Sequence, residues 1–294
     1  MSDFLNYVFT GILVGELYAL LALGFVVIYR ASRVFNFAQG ELMLLGAYTV
    51  WTLTVSAGLP AWAAIPLAFV LAIAYGFLIE RLFFSRLIGE SVFAMVMVTI
   101  GLVILIRGII LVSWGAMDQA FPAILPVAPL FIGELIVPTA LLIGATLTLL
   151  LSGGLWWFFN RSRAGLALTA VAEDPHTAIA MGISVQRAVT LAWIMGACLS
   201  TVGAIIYLNG RTLTLASGEI GLAALPVALF AGLESILGLL LAGAIVGVLQ
   251  SLVGAYIDPL IGGAASSIAP FVFMLLILFI RPTGLFGWRS IERV

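Results

Sequence analysis

The chain has 294 residues, 64% of them hydrophobic and only 9% charged, with 12 arginines, no lysine and 13 acids, and its mean hydropathy is +1.27. A water-facing surface needs roughly 25–35% charged residues, so a soluble fold is excluded and the solvent of this chain is lipid. A net charge of −1 without a basic run excludes a nucleic-acid footprint, and the missing lysine excludes the phosphate-binding loop that ATPases build around that residue.

A bilayer core of about 30 Å takes about 20 apolar residues per helix, and the charges divide the chain into runs of that size. Only Asp3 and no basic residue precedes the first run, so it lacks the n-region of a cleaved signal peptide and is expected to stay in the mature protein. Phe4 to Tyr29 predicts one span, interrupted by Glu16. Leu42 to Ile79 carries no charge and is long enough for two spans, broken at Gly58-Leu59-Pro60. Ser91 to Trp114 holds a single charge, Arg107; Leu135 to Phe159 and Ala188 to Leu208 are uninterrupted crossings. Ile220 to Leu233 is short for a span and reads as a re-entrant or broken helix, whereas Ser235 to Ile257 and Pro259 to Ile280 are long enough. The fold class is therefore an all-α polytopic membrane protein of about 8–9 transmembrane helices, read as a single domain over residues 1–294.

Arginine-rich loops stay cytoplasmic. With the N-terminus outside and the short helix counted as a crossing, Arg30, Arg33, Arg81, Arg86, Arg161, Arg163, Arg187, Arg281, Arg289 and Arg293 fall inside, Arg211 falls outside and Arg107 lies in the membrane. The C-terminus is then cytoplasmic. The longest inside loop is 160–187 and the longest outside loop is 115–133, which makes these two the expected docking surfaces.

Several stretches, in order along almost the whole chain, resemble LivH-type permeases of branched-chain amino acid ABC transporters. They are Leu17-Tyr18-Ala19-Leu20 with Gly24, Asn36-Phe37-Ala38-Gln39-Gly40-Glu41 followed by Gly46-Ala47-Tyr48, Ile79-Glu80-Arg81, Arg161-Ser162-Arg163-Ala164-Gly165 leading into Ala172-Glu173-Asp174 and Met181-Gly182-Ile183, and Arg281-Pro282-Thr283-Gly284-Leu285-Phe286-Gly287. The resemblance implies an importer in the bacterial-type inner membrane. It implies a second homologous permease, two ATP-binding subunits and an extracytoplasmic solute-binding protein as partners. It implies a hydrophobic amino acid, or a related amide or organic acid, as solute. It also assigns 160–187 to the coupling helix that receives force from the ATPases, with Arg161, Arg163, Glu173, Asp174 and Gly182 as its residues; a solvated linker is the alternative. The chain departs from the family pattern at Glu16, Arg107, Ala223 and Ala231-Gly232-Leu233-Glu234-Ser235.

Residues for the translocation path are Glu16, Tyr18, Asn36, Gln39, Glu41 and Arg107. Asn36-Phe37-Ala38-Gln39 has the spacing of a capping box, which by itself accounts for both polar side chains; the other reading offers a helix N-terminus at membrane depth to a carboxylate solute. Charges inside a span are functional hypotheses by default. Glu16 and Arg107 are close enough in depth to pair structurally, to handle a polar group of the solute, or to snorkel separately. The glycines around Gly243-Ala-Ile-Val-Gly247 are read as helix packing, against the partner permease among other surfaces. One histidine, His176, and one cysteine, Cys198, leave no catalytic constellation, metal site or cofactor site to expect. A self-sufficient secondary transporter or channel is the alternative function.

Overall fold

The computed structural model describes residues 2–87, 90–133 and 135–287; Arg289 and Arg293 lie outside the described residues. Among these, six helices are long and apolar enough to cross a membrane. Five of them are α1 (Ser2–Ser32), α3 (Ala61–Ile79, prolonged by a π-helical turn at Glu80–Phe84), α4 (Val92–Trp114), α5 (Thr139–Arg161) and α8 (Val185–Tyr207), and the sixth is α10 (Ile236–Tyr256). Three shorter apolar helices accompany them: α2 (Gln39–Trp51, prolonged by a π-helical turn at Thr52–Ser56), α9 (Ile220–Ala231) and α12 (Ala265–Ile280). Two small helices, α6 (Arg163–Glu173) and α7 (Pro175–Ala180), fill the 160–187 loop, and α11 (Asp258–Ile261) precedes α12.

The breaks follow local chemistry. Gly58 takes a left-handed φ of 67°, and Pro60 starts α3 from an extended conformation, so the long uncharged run splits where the sequence predicts. Hydroxyls mark the π-helical turn after α2: Thr52 donates to Tyr48 O at 2.7 Å and Thr54 to Val50 O at 2.7 Å. Ser91, Ser162, Ser184 and Ser235 accept from the first turns of α4, α6, α8 and α10, each satisfying an otherwise orphaned N–H.

Two predicted spans are shortened. Residues 135–137 do not begin α5; they form β3 (Leu135–Val137), antiparallel to β2 (Leu130–Ile132). The 259–280 run is cut by left-handed Gly262, leaving α12 with 16 residues. The proline-rich 115–133 loop is likewise ordered. Its strand β1 (Gln119–Ala120) pairs with β4 (Thr212–Leu213), and Asn209 exchanges two hydrogen bonds with Leu125, at 2.8 and 3.0 Å.

α1 is the axis of the bundle. Its apolar stretch is 89% buried, against 28% for α3, 22% for α4 and 28% for α5, so these last three present apolar side chains outward. Lipid is as apolar as leucine, so close packing and not water exclusion must hold such helices together. Gly11 and Gly15 of α1 lie directly on Gly243, Gly247 and Val248 of α10, backbone against backbone. On its other side α1 fits Leu21 over Gly203 and Ile28 over Gly196, both on α8. The G-x-x-x-G of α10 is therefore spent within the chain, against α1, and not on a partner permease.

Replacing Gly15 or Gly247 by Leu forces two backbones apart and is expected to lower stability by about 1–3 kcal/mol or more. Gly101 and Gly153, in α4 and α5, have open space where a Cβ would stand. Thermal denaturation of the purified chain in lipid nanodiscs should show a depressed Tm for Gly15→Leu and Gly247→Leu, with Gly101→Ala and Gly153→Ala at or above the wild type.

Candidate functional site

The end of α1 does not connect to α2 by a surface loop. Arg33 takes a left-handed conformation, φ 55°, with its N–H still bonded to Tyr29 O at 2.8 Å, and the chain then turns back into the bundle. Val34, Asn36 and Ala38 are almost wholly buried. Phe35 stacks on Phe25 and lies against Phe37, while Thr99 of α4 donates to Phe35 O at 3.4 Å. α2 therefore starts in the interior of the bundle, beside the middle of α4.

Irregular backbone at that depth is tolerated only when its polar groups are satisfied inside the protein. Asn36 Oδ1 accepts from Ala38 N at 3.0 Å, and Asn36 Nδ2 donates to Gln39 Oε1 at 3.3 Å. Gln39 Nε2 donates to Ser200 on α8 at 2.8 Å. The expected capping box is thus replaced by an Asn-centred turn, with Ala38 at the N-cap position. Gln39 lies against Gly24, where no side chain would fit, and so reaches α8 instead of folding back on Asn36's N–H. Both side chains are fully buried.

α9 also starts inside. Thr214 and Ser217 form a true capping box, with Thr214 N bonded to Ser217 Oγ at 3.0 Å, on the 3-10 turn Leu215–Glu219 that leads into α9. The first turns of α2 and α9 then touch: Gly40 lies on Gly218 and Gly221 so closely that a Cβ at Gly40 or Gly221 would collide with backbone. Two helix N-termini, each the positive end of a macrodipole, converge at one point.

Glu41 and Arg107 occupy that point. Arg107 Nε donates to Glu41 Oε1 at 2.8 Å; the Glu41 side chain is 5% exposed and that of Arg107 41%. Glu41 packs on Gly218, and its Oε2 is buried without a hydrogen-bond partner. Arg107 lies about 22 Å along α4 from its first residue and about 10 Å from its last. About two turns further along α4, Trp114 donates to Thr52 Oγ1 at 2.7 Å and packs against Tyr48 at 5.2 Å between centroids, closing the α2–α4 seam toward the end of α4.

The pairing of Arg107 with Glu16 is not formed. Glu16 lies where α1 meets α5, its backbone carbonyl accepting from Thr148 at 3.2 Å; it is 7% exposed and its Oε2 has no partner. The physical reason is the interior start of α2, which places Glu41 alongside Arg107. Tyr18, also buried, lies beside Gln250 of α10.

At the other end of the bundle the arginines gather. Arg30 lies over the Phe159 ring at 4.4 Å. Arg33 forms an ion pair with Glu234, in the turn between α9 and α10, and its Nε donates to Ala172 O near the end of α6 at 3.2 Å. Glu173 borders the small cavity that Arg30, Arg33 and Glu234 enclose. Asp174 caps α7, accepting from His176 N at 2.9 Å, Thr177 N at 3.2 Å and Thr177 Oγ1 at 2.5 Å. The hydroxyl and N–H of Thr177, more than any other group, hold its carboxyl below the ordinary aspartate range. α7 ends in a glycine-terminated turn, with Gly182 at φ 78° and Ile183 N bonded to Ala178 O at 2.9 Å. Arg161 and Arg163 are exposed at the α5–α6 corner. Glu234 and Ser200 were not singled out as site residues in the sequence, although Glu234 stands in a stretch that departs from the family pattern. Among the described residues no three of His, Cys, Asp and Glu converge as metal ligands.

A family model described as the permease component of branched-chain amino acid transport systems matches residues 7–280. A relative from Pseudomonas aeruginosa, the high-affinity branched-chain amino acid transport system permease protein BraD, is 28% identical over 99% of this chain and 98% of its own length. The permease protein LivH of the corresponding Salmonella typhimurium system is 28% identical over 99% of this chain and 98% of its own. A probable LivH from Methanocaldococcus jannaschii is 27% identical over 96% of this chain and 93% of its own.

Two outcomes are expected from this geometry. Glu41→Gln strips Arg107 of its counter-charge and should destabilise the chain by about 1–3 kcal/mol, whereas Glu16→Gln, which breaks no ion pair, should leave the Tm in nanodiscs close to wild type; equal losses would contradict the pairing. The cap of α7 gives a pH dependence. A lowered carboxylate pKa contributes stability that is complete above the unfolded value of about 3.9 and is lost as the pH falls through the lowered folded value. Amide exchange at His176 and Thr177 should therefore accelerate on acidification below pH ~4, and should be fast at all pH in Asp174→Ala.

Proposed function

We propose that this chain, which belongs to the family of permease components of branched-chain amino acid transport systems, is the transmembrane subunit of an ABC importer for a small organic solute. The solute is a branched-chain or other hydrophobic amino acid, or a related amide or organic acid. The observation that carries the reading is the family match over residues 7–280, which spans the interior junction as well as the α6–α7 element. The chain works in a multi-pass arrangement in the inner membrane, as one permease domain, with the N-terminus outside and the arginine-bearing end cytoplasmic. In this arrangement α1, α3, α4, α5, α8, α10 and α12 cross the bilayer, and α2 and α9 each begin at depth.

The partners are a second homologous permease, two ATP-binding subunits and an extracytoplasmic binding protein. ATP hydrolysis belongs to those partner subunits; the permease needs no cofactor and no metal of its own. Transport proceeds by alternating access. The loaded binding protein docks on the ordered 115–133 loop, and the ATPases push on α6 and α7. Arg33, bonded to α6 and to the α9–α10 turn, links that push to both interior helices. The capped, glycine-terminated α7 supports this reading, because force transmission needs a rigid element.

Reconstitution tests the assignment. In liposomes the chain alone should give no saturable uptake of leucine, and uptake should appear with the copurified ATP-binding and binding-protein partners and with ATP; ion-driven uptake by the single subunit would establish a secondary transporter instead. For the coupling element, Asp174→Asn keeps an acceptor for the cap and should preserve solute-stimulated ATPase activity, while Asp174→Ala should reduce it several-fold. Unchanged stimulation in Asp174→Ala would make residues 160–187 a linker.

A further inference from the structure

The junction of α2 and α9 holds an unused donor edge. Arg107 is bonded to Glu41 through Nε alone, and its two terminal nitrogens make no other hydrogen bond among the described residues. A guanidinium held by that side keeps its end-on edge, two parallel N–H donors that match a carboxylate in bidentate fashion. The side chain is 41% exposed although about 10 Å separates it from the nearer end of α4. Arginines at such depth almost always face a bundle interior or a water-filled cavity and not hydrocarbon.

Three neighbours make the place selective. The N-termini of α2 and α9 meet there, and helix ends at membrane depth favour anionic groups. Glu41, only 5% exposed, keeps one oxygen without a partner, so the pair is incomplete as it stands. The exposed carboxylate of Glu219, the residue before α9, is the other charge whose field reaches Glu41. It repels a second carboxylate and offers an acceptor to an ammonium.

We propose that Arg107 is the specificity-determining residue of the translocation path, its terminal nitrogens receiving the carboxylate of a zwitterionic α-amino acid while Glu41 orients the guanidinium. This rests on the importer reading and narrows it: amides and urea-like solutes lack the group that Arg107 reads, and dicarboxylates meet Glu219. Glu41 acts through Arg107 and is a positioning residue.

The test is direct binding to the purified chain in lipid nanodiscs, followed by saturation-transfer NMR with leucine, leucinamide and 4-methylvalerate as probes. The wild type should bind leucine and 4-methylvalerate, and leucinamide about tenfold more weakly or not at all. The double variant Glu41→Gln with Arg107→Gln keeps a hydrogen-bonding pair without burying a lone charge. Its Tm should stay near wild type, and its leucine affinity should fall about tenfold or more, to the level of leucinamide. Arg107→Lys, which keeps the charge and loses the bidentate edge, should fall between. Equal binding of leucine and leucinamide by the wild type, no carboxylate binding at all, or wild-type leucine binding by the double variant would each overturn the proposal. Uptake separates the two readings: ion-driven transport by the single subunit removes the importer assignment and leaves the NMR result standing.

Discussion

Everything distinctive in this fold depends on backbone touching backbone at Gly40 and Gly221. A side chain at either position would collide with the other strand of chain, and the first turns of α2 and α9 would be pushed apart. Because they meet, two helices that are too short to traverse the bundle begin at a common interior point and run toward opposite ends of it. The segment 33–38 exists to deliver α2 to that point, and the 3-10 turn before α9 does the same from the other side.

That arrangement has a polar consequence. Each interior start exposes N–H groups that a continuous helix would have satisfied, and in lipid they must find partners within the protein. Asn36 accepts from Ala38 N, and Thr214 and Ser217 cap the turn before α9, while Gln39 and Ser200 satisfy each other's side chains. What remains is positive electrostatic potential from two helix ends, and Glu41 sits in it with Arg107 at its side. Glu16 is a different case. It lies on α1 away from this pair, its backbone at the α1–α5 contact and its Oε2 buried without a hydrogen-bond partner, and among the described residues it forms no ion pair.

The arginine-bearing end is tied to the same interior by one residue. Arg33 ends α1 in a conformation that costs a non-glycine residue roughly 1–2 kcal/mol, and its side chain bonds Ala172 on α6 and Glu234 at the foot of α9. The strain is offset by these contacts. A displacement of α6 therefore has a polar connection both to the start of the re-entering segment and to the base of α9. α1 itself is locked to α10 through glycines and to α8 through fitted side chains, so it serves as the fixed member against which these shorter pieces are set.

How much of this was legible beforehand depends on the range of the cause. Composition decides the solvent, because a chain with so few charges has nothing to cover a wetted surface. Apolar run length places α1, α4, α8 and α10 within a few residues, and Gly58-Leu59-Pro60 marks the break before α3, since glycine and proline act through their own dihedrals. The short run 220–233 already announces a helix of less than span length. The partner of Arg107 was beyond the sequence's reach. Depth counted along two separate spans only brings it level with Glu16, pairing being one of three readings, whereas the interior start of α2, which depends on Gln39 fitting against Gly24 and on Gly40 fitting against Gly221, brings Glu41 to it. For the same reason Gln39, which reads as half of a local cap, bonds Ser200 on α8, while Asn36 stays local and turns the backbone at Ala38. Helices, breaks and caps are written in neighbouring residues; which charge meets which is set by close approaches between segments distant along the chain, and only the packed tertiary structure decides it.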